Sequence, residues 1–251
     1  MTELISLSSN HFHQLLKLKQ KKFRELFGKT LIEGMRTIGQ MAANGIIFDE
    51  LICESGCSVN FKGLPAKAIF SAPAEAIRKL GSVVNPQEII AVARTCAPAI
   101  SRTSFLLYLD NIQDPGNLGT IYRSAAAAGI DGIMLSPDCC EIFNPKVIRS
   151  SLGLVFTIPS QIVNSASLEG REAIKIASVV EDGINIFRFQ RPVGDIILIL
   201  GSEAHGVTST LLELAEYKVS IPVSTNIESL NVSVATGILV YQLIYGCKRD
   251  L

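Results

Sequence analysis

An excess of charge of either sign is missing from this 251-residue chain: 23 lysines and arginines meet 23 aspartates and glutamates, and charged residues are only 18% of the total. Hydrophobic residues make up 48%, so a disordered chain is not expected, and there is core material for one large domain or two ordinary ones. Long apolar runs are also missing. The longest, GDIILILG from Gly194 to Gly201, is of strand length, far short of the roughly 20 residues that span a bilayer, so no membrane partner is expected. Histidine is scarce, with three in all; His11 and His13 are too few and too near the first residue to suggest a metal site. The six cysteines, at 53, 57, 96, 139, 140 and 247, have no paired metal-ligand spacing, and no metal is expected. With no signal-peptide pattern ahead of them they read as reduced thiols of a cytoplasmic protein. Neither the G-x-G-x-x-G nor the Walker pattern occurs, which disfavours an ordinary nucleotide-binding α/β enzyme.

What charge asymmetry there is sits in front. The first 100 residues hold 12 lysines and arginines against 8 acidic residues. The excess is sharpest in KLKQKKFRELFGK, where Lys17, Lys19, Lys21, Lys22, Arg24 and Lys29 face Glu25 alone. From Phe12 to Phe27 the apolar residues recur mostly at helical spacing, which predicts one amphipathic basic helix. Such a face is either simply solvated or a phosphate-contacting surface.

Two domains are expected. Beyond the basic helix, TLIEG, FDELICES, KAIFSA and EIIAVART read as strands, with helices over Met35–Asn44 and about Pro73–Leu80, a compact α/β unit over residues 1–97. CAPAISRTS, from Cys96 to Ser104, reads as a linker. In residues 98–251 strands are expected at Phe105–Leu109, Gly132–Leu135, VFTIPSQIV, IKIASVV and DIILILGS. Helices are expected at Gly119–Ala128, NPKVIRSSLG and Glu169–Lys175. Continuous apolar strands alternating with helices predict a parallel sheet covered on both faces.

In open parallel sheets ligands gather beyond the carboxyl ends of the strands, and conformationally special residues fall at three such ends. In DNIQDPGNLGTIYR, turn chemistry at Asp114-Pro115-Gly116 precedes Asn117 and Gly119, with Arg123 under two turns along the helix. Asn117 is then either an N-cap or a site residue, and Arg123 either a surface residue or a phosphate clamp. In LILGSEAHGV a buried strand breaks at Gly201, with Glu203 between it and Gly206; the pair of glycines permits either a tight turn or close approach of backbone to a ligand. In IPVSTNIESLNVSVATGILVYQLIYG, a polar loop after Ile221-Pro222 leads through Ser229, Leu230 and Asn231 into a helix apolar nearly all round. Such a helix is buried or lies in a subunit contact.

Together the three segments resemble the three motifs of the SpoU (TrmH-like) family of RNA ribose 2′-O-methyltransferases, of the SPOUT class: N-x-G-x(3)-R from Asn117 to Arg123, G-S-E-x-x-G from Gly201 to Gly206, and I-P then S-L-N from Ile221 to Asn231. The resemblance covers about residues 104–246. KKFRELFGKTLIEGMRTI is similar to the start of the small substrate-binding domain that precedes the catalytic domain in many rRNA-modifying members.

The resemblance implies a small RNA-binding α/β domain followed by a parallel-sheet α/β methyltransferase domain with a deep trefoil knot. It implies S-adenosylmethionine as cofactor, held by Leu200, Gly201, Ile221, Leu230 and Asn231. Asn117, Arg123, Glu203, Ser229 and Asn231 match the family's catalytic positions. Arg123 is expected to engage the target hydroxyl and phosphate as an electrostatic clamp rather than as a base, because a guanidinium normally stays charged. The family often has another glycine after the Glu of the second motif, where this chain has Ala204-His205; His205 is expected to be a surface residue. RNA is the expected partner, rRNA ahead of tRNA, with no DNA; Lys19, Lys21, Lys22, Arg24 and Arg123 are the expected contacts. A homodimer through the catalytic domain is expected from the apolar last helix and family habit. A tRNA 2′-O-methyltransferase is one alternative, and a non-catalytic RNA-binding ribosome-assembly protein of the same fold another; the intact motif residues speak against the second.

Overall fold

A computed structural model describes residues 4–57, 61, 63–82, 88–224, 226 and 228–246; Cys247 lies outside them. The chain divides into two compact units, one of residues 1–96 with 141–157, the other of residues 97–140 with 158–251. Among the described residues no helix is long and apolar enough to cross a membrane.

The first unit runs β1 (Leu4–Ser6), α1 (Ser9–Lys17), α2 (Lys21–Phe27), β2 (Lys29–Glu33), α3 (Met35–Ala43), β3 (Phe48–Glu54), β4 (Ala66–Ala72), α4 (Ala74–Leu80) and β5 (Ile89–Arg94). Its sheet has the order β1-β4-β3-β5-β2. β1, β4 and β3 are parallel; β5 is antiparallel to both β3 and β2. Leu15, Leu18, Leu31, Ile52, Ile77, Leu80, Ile90 and Val92 form a core between this sheet and α1 and α4.

The single basic helix expected over Phe12–Phe27 is two helices, and Arg24 is the reason the break is tolerated. Ending α1 leaves carbonyls without intrahelical partners. The Arg24 guanidinium donates through Nη1 to the carbonyls of Leu18 and Lys19, both at 2.9 Å. It also donates through Nε and Nη2 to the Glu141 carboxylate at 2.7 and 2.5 Å. Arg24 is therefore buried, 4% exposed, and does not belong to the exposed basic face where it was expected. Lys19 is also tied down, donating to the carbonyls of Lys79 at 2.9 Å and Gly81 at 2.7 Å. Lys21 and Lys22 remain exposed.

The second unit contains β6 (Phe105–Leu109), α5 (Pro115–Ala128) and β7 (Gly132–Leu135). The chain then passes into the first unit for residues 141–157, which include α6 (Pro145–Ser150). It returns for β8 (Ser160–Ile162), β9 (Ile174–Ser178), β10 (Ile184–Asn185), β11 (Ile196–Leu200), α7 (Ser209–Leu214), β12 (Tyr217–Ser220) and α8 (Val232–Tyr245). Within the first unit α6 packs on β2, and the Thr30 hydroxyl donates to the Phe143 carbonyl at 3.2 Å.

The second sheet has the order β10-β12-β9-β11-β6-β7-β8, and every pairing in it is parallel. β6 and β11 are buried at every position, as the unbroken apolar runs FLLYL and IILIL require for strands covered on both faces.

Two expectations in this half are corrected. Only Ser160–Ile162 of VFTIPSQIV is strand, because Leu154–Phe156 forms a 3₁₀ turn after Gly153 and Pro159 brings no N–H to a ladder. No helix covers Glu169–Lys175: a 3₁₀ turn ends at Leu168, and Ile174 and Lys175 are drawn into β9, which pairs with β11 and β12.

Candidate active site

Four neighbouring parallel strands, β12, β9, β11 and β6, deliver their carboxyl ends to one edge of the sheet, and three of those ends carry the residues singled out from sequence. The loop after β6 is anchored first. The Asp110 N–H donates to the Leu200 carbonyl at 2.8 Å, and its buried carboxylate accepts the Thr208 N–H at 2.9 Å. Asn111 takes a positive φ of 57°, a conformation costly for most residues but accessible to Asn; its N–H is held by the Ser136 hydroxyl at 2.9 Å. Burial pushes the Cys139 thiol pKa up, and the neutral thiol accepts from the Ile112 N–H and donates to the Leu109 carbonyl, both at 3.3 Å.

α5 begins earlier than the expected Gly119. Asp114 is its N-cap, its carboxylate accepting the Asn117 N–H at 2.9 Å, and Pro115 stands at the first helical position, where its missing N–H costs nothing. Capping is thus done by Asp114, and the Asn117 side chain is left to act elsewhere. Its Nδ2 donates to Glu203 of the loop after β11. Its Oδ1 accepts from Asn231 Nδ2 at 3.0 Å. Asn231 is also the N-cap of α8, its Oδ1 accepting the Ser233 N–H at 3.0 Å and the Ser233 hydroxyl at 2.6 Å. For Asn231 the cap and the site residue are one side chain. The relay Ser233 to Asn231 to Asn117 to Glu203 is consistent only with the amides oriented this way.

Gly201 opens a tight turn in which the chain folds back against it. A Cβ placed there would overlap the Gly206 carbonyl and the Val207 nitrogen. Gly206 adopts φ 65° and donates its N–H to the Ser202 carbonyl at 2.8 Å. Beside this turn lies a cleft of about 690 Å³, counting its open mouth, lined by Ser178, Val179, Val180, Leu200, Gly201, Glu203, Ile221, Ser229 and Leu230 among others.

The structure therefore gathers eight of the nine expected catalytic and cofactor residues: Leu200, Gly201, Glu203, Ile221, Ser229 and Leu230 on the cleft, Asn117 hydrogen-bonded to its Glu203, and Asn231 hydrogen-bonded to Asn117. Arg123 is not joined to them. It lies exposed on α5, six residues after Asn117, so its side chain leaves the helix about 120° away from that of Asn117. His205 is exposed. Sequence reading missed Ser178, Val179 and Val180; the signal was the carboxyl end of IKIASVV, apolar and without special residues. It also missed Asp110, which fastens the loop to the one after β11, and it read Asp114 as turn chemistry rather than as the N-cap of α5.

Fold and site thus define an α/β protein with a ligand cleft at the carboxyl edge of a parallel sheet. The model of the SpoU rRNA Methylase family matches residues 104–241, and that of the MRM3-like substrate binding domain matches residues 10–91. An uncharacterized tRNA/rRNA methyltransferase of Synechocystis sp. is 34% identical over 91% of this chain and 88% of its own. The 23S rRNA (guanosine(2553)-2′-O)-methyltransferase RlmP of Bacillus subtilis is 29% identical over 97% of this chain and 99% of its own. In fold, the chain is similar to the SpoU methyltransferase AviRb from Streptomyces viridochromogenes, solved in complex with the cofactor AdoMet, with a TM-score of 0.81 and 24% identity over 96% of this chain and 98% of that one. The chain belongs to the SpoU rRNA methylase family.

Proposed function

We propose that this chain is an S-adenosylmethionine-dependent methyltransferase that modifies a ribose 2′-hydroxyl of rRNA, of the 23S type. The observation that carries the reading is the clasp of Asn117, Glu203 and Asn231, three side chains from three separate strand ends, closed beside the cleft. The relative RlmP acts on 23S rRNA by its name, and the first unit matches a substrate-binding domain.

The cleft residues fit the cofactor. Gly201 leaves no space for a side chain where backbone must pass close, Leu200, Ile221 and Leu230 supply an apolar wall, and Glu203 and Ser229 supply polar atoms. When bound, S-adenosylmethionine supplies an electrophilic methyl group on a sulfonium. A ribose hydroxyl is a poor nucleophile, so the protein must orient it and ease loss of its proton. Arg123, exposed on α5, is assigned to the RNA phosphate and to the developing negative charge on the ribose oxygen. Asn117 and Asn231 hold the clasp that aligns the loops after β6, β11 and β12.

To these assignments we add a trefoil knot, a homodimer through the second unit, and a cytoplasmic site of action. The knot is supported by family membership. The dimer is supported by the stripe of Val234, Tyr241 and Tyr245, each between 45% and 52% exposed, along one side of α8.

Labelled S-adenosylmethionine incubated with the protein and unmodified rRNA tests the reading. Transfer of label to a 2′-O-methylated nucleotide is expected. Absence of cofactor binding and of label in rRNA overturns it, and label in tRNA alone would move the substrate to the alternative.

A further inference from the structure

Lys29, Lys67 and Arg94 belong to three strands, β2, β4 and β5, yet all close on one carboxylate, that of Asp49 in β3. Lys67 Nζ lies 2.5 Å from Oδ1, Lys29 Nζ 3.1 Å from Oδ2 and Arg94 Nε 3.7 Å from Oδ2. The topology causes the convergence. β2, β3 and β4 begin, and β5 ends, at the same end of the sheet, where Lys29 pairs with Arg94 and Phe48 with Ala66.

Asp49 is only 8% exposed, whereas the Lys67 and Arg94 side chains are 57% and 72% exposed. Burial pushes the Asp49 carboxyl upward, but the hydrogen bonds and charges of Lys67 and Lys29 outweigh it and hold the group below its ordinary value. One fixed anion is thus ringed by three cations, and among the described residues no other carboxylate is ion-paired with any of the three. A structural ion pair needs one cation for one carboxylate. The surplus is a repulsive arrangement that a second anion would relieve, and the buried carboxylate holds the long side chains in place before that anion arrives.

Aromatic surface adjoins the cluster in the chain. α2 carries Phe23 and Phe27 with ring centroids 5.9 Å apart and planes 21° apart, and Phe27 is 44% exposed. Lys17 and Lys22 lie over the Phe23 ring at 5.6 and 6.0 Å. Gly28 alone separates Phe27 from Lys29, and its carbonyl accepts the N–H of Thr95, the residue after Arg94, at 2.9 Å. Held cations next to an exposed aromatic face match single-stranded nucleic acid, whose phosphates take the charges and whose bases stack on the ring.

We propose that this end of the five-stranded sheet binds single-stranded RNA, with phosphates on Lys67 and Arg94, Lys29 behind them, and a base on Phe27. The inference rests on the reading of the chain as an RNA methyltransferase. It places the contact at different residues from the Lys19–Arg24 face, where Lys19 and Arg24 already hold backbone carbonyls.

Binding of an unstructured rRNA-derived oligonucleotide to the full chain, followed across salt concentrations, tests it. Removing two single-strand phosphate contacts in Lys67→Ala/Arg94→Ala should flatten the slope of log K against log[salt] by about 1.4. Phe27→Ala should weaken binding at least about fivefold with the slope unchanged. The charge-matched control Arg78→Ala/Lys79→Ala on α4 should bind as wild type. Lysine acetylation of the wild-type protein gives a measurement independent of folding in the variants, with Lys67 protected by the oligonucleotide and Lys79 not. Wild-type behaviour of either the paired or the Phe27 variant, an equal loss in the control, or equal acetylation of Lys67 and Lys79 would overturn the proposal. Methyl transfer to rRNA with any of those results leaves the enzymatic reading standing alone, and a wild-type chain that binds no rRNA brings down both.

Discussion

Asn231 Nδ2 donates to Asn117 Oδ1 across 3.0 Å, although 114 positions separate the two residues in the chain. With the further bond from Asn117 to Glu203, the amide of Asn117 is the link through which the loops after β6, β11 and β12 hold one arrangement.

Asn117→Ala removes both bonds at once while sparing the α5 cap, which belongs to Asp114. Global stability should change by about 1 kcal/mol or less, the net worth of an exposed hydrogen bond. Misalignment at a reacting centre is far more costly, on the order of 10² in rate. Single-turnover methyl transfer should fall by about that factor while the thermal midpoint barely moves; a rate loss matched by unfolding would reject the role.

Arg123 tests the opposite case, a residue that the structure leaves exposed and outside the clasp. Arg123→Ala should leave thermal stability and cofactor binding at wild-type levels and depress methyl transfer. Arg123→Lys, which keeps the charge but loses the planar fork of donors, should recover only part of the rate. Equal rates for the wild type and the alanine variant would remove Arg123 from the reaction.

Legibility from sequence followed the kind of signal each residue carries. Gly201, Ile221 and Leu230 entered the site through the resemblance to the family's motifs, which stand out as special residues at the ends of apolar strands, and the parallel sheet was readable from FLLYL and IILIL. The cleft's Val179 and Val180 carry no pattern of their own; they line it only because β9 is placed between β11 and β12, a pairing that periodicity does not encode. Arg24 failed for a related reason. It stands in a lysine-rich stretch, and only Glu141, 117 positions away, reveals that it is buried. From the residues alone Asn117 stood between a cap and a site residue, because Asn before a helix is often a cap; Asp114, three positions earlier, takes the capping role.

Gly201→Ala should fail for steric reasons. The added methyl meets backbone atoms of Gly206 and Val207, which cannot rotate away as a flexible side chain would. Overpacking typically costs about 1–3 kcal/mol, occasionally more, and here the upper end is expected, with the thermal midpoint and cofactor affinity falling together in calorimetry. Wild-type affinity for S-adenosylmethionine in a folded Gly201→Ala protein would show that the turn is not part of the cofactor site.

Arg24→Ala should behave as a core mutation despite lying in a lysine-rich stretch. It leaves the Glu141 carboxylate, 14% exposed, without its guanidinium and frees the carbonyls of Leu18 and Lys19. Removing one member of a buried pair costs about 3–5 kcal/mol, and a denaturant midpoint shifted by that amount is expected. Lys21→Ala/Lys22→Ala, by contrast, should stay within about 0.5 kcal/mol of wild type. Similar stabilities for the two variants would contradict the buried geometry.

Asp49 sets the pH dependence of the first unit, and the sign follows from the direction of its shift. Its folded-state pKa lies below the ordinary 3.8 because Lys67 and Lys29 outweigh the effect of burial. A depressed carboxylate contributes stability that is fully present above the unfolded value and is lost as pH falls through the folded one. Wild-type thermal midpoints should therefore drop more steeply than those of Asp49→Asn as pH is lowered from neutrality to below 3.8. At neutral pH the asparagine variant should be the less stable of the two, since Lys29, Lys67 and Arg94 then crowd together with no anion among them. The two curves should converge in acid, and parallel curves would mean that Asp49 is not what holds the three cations.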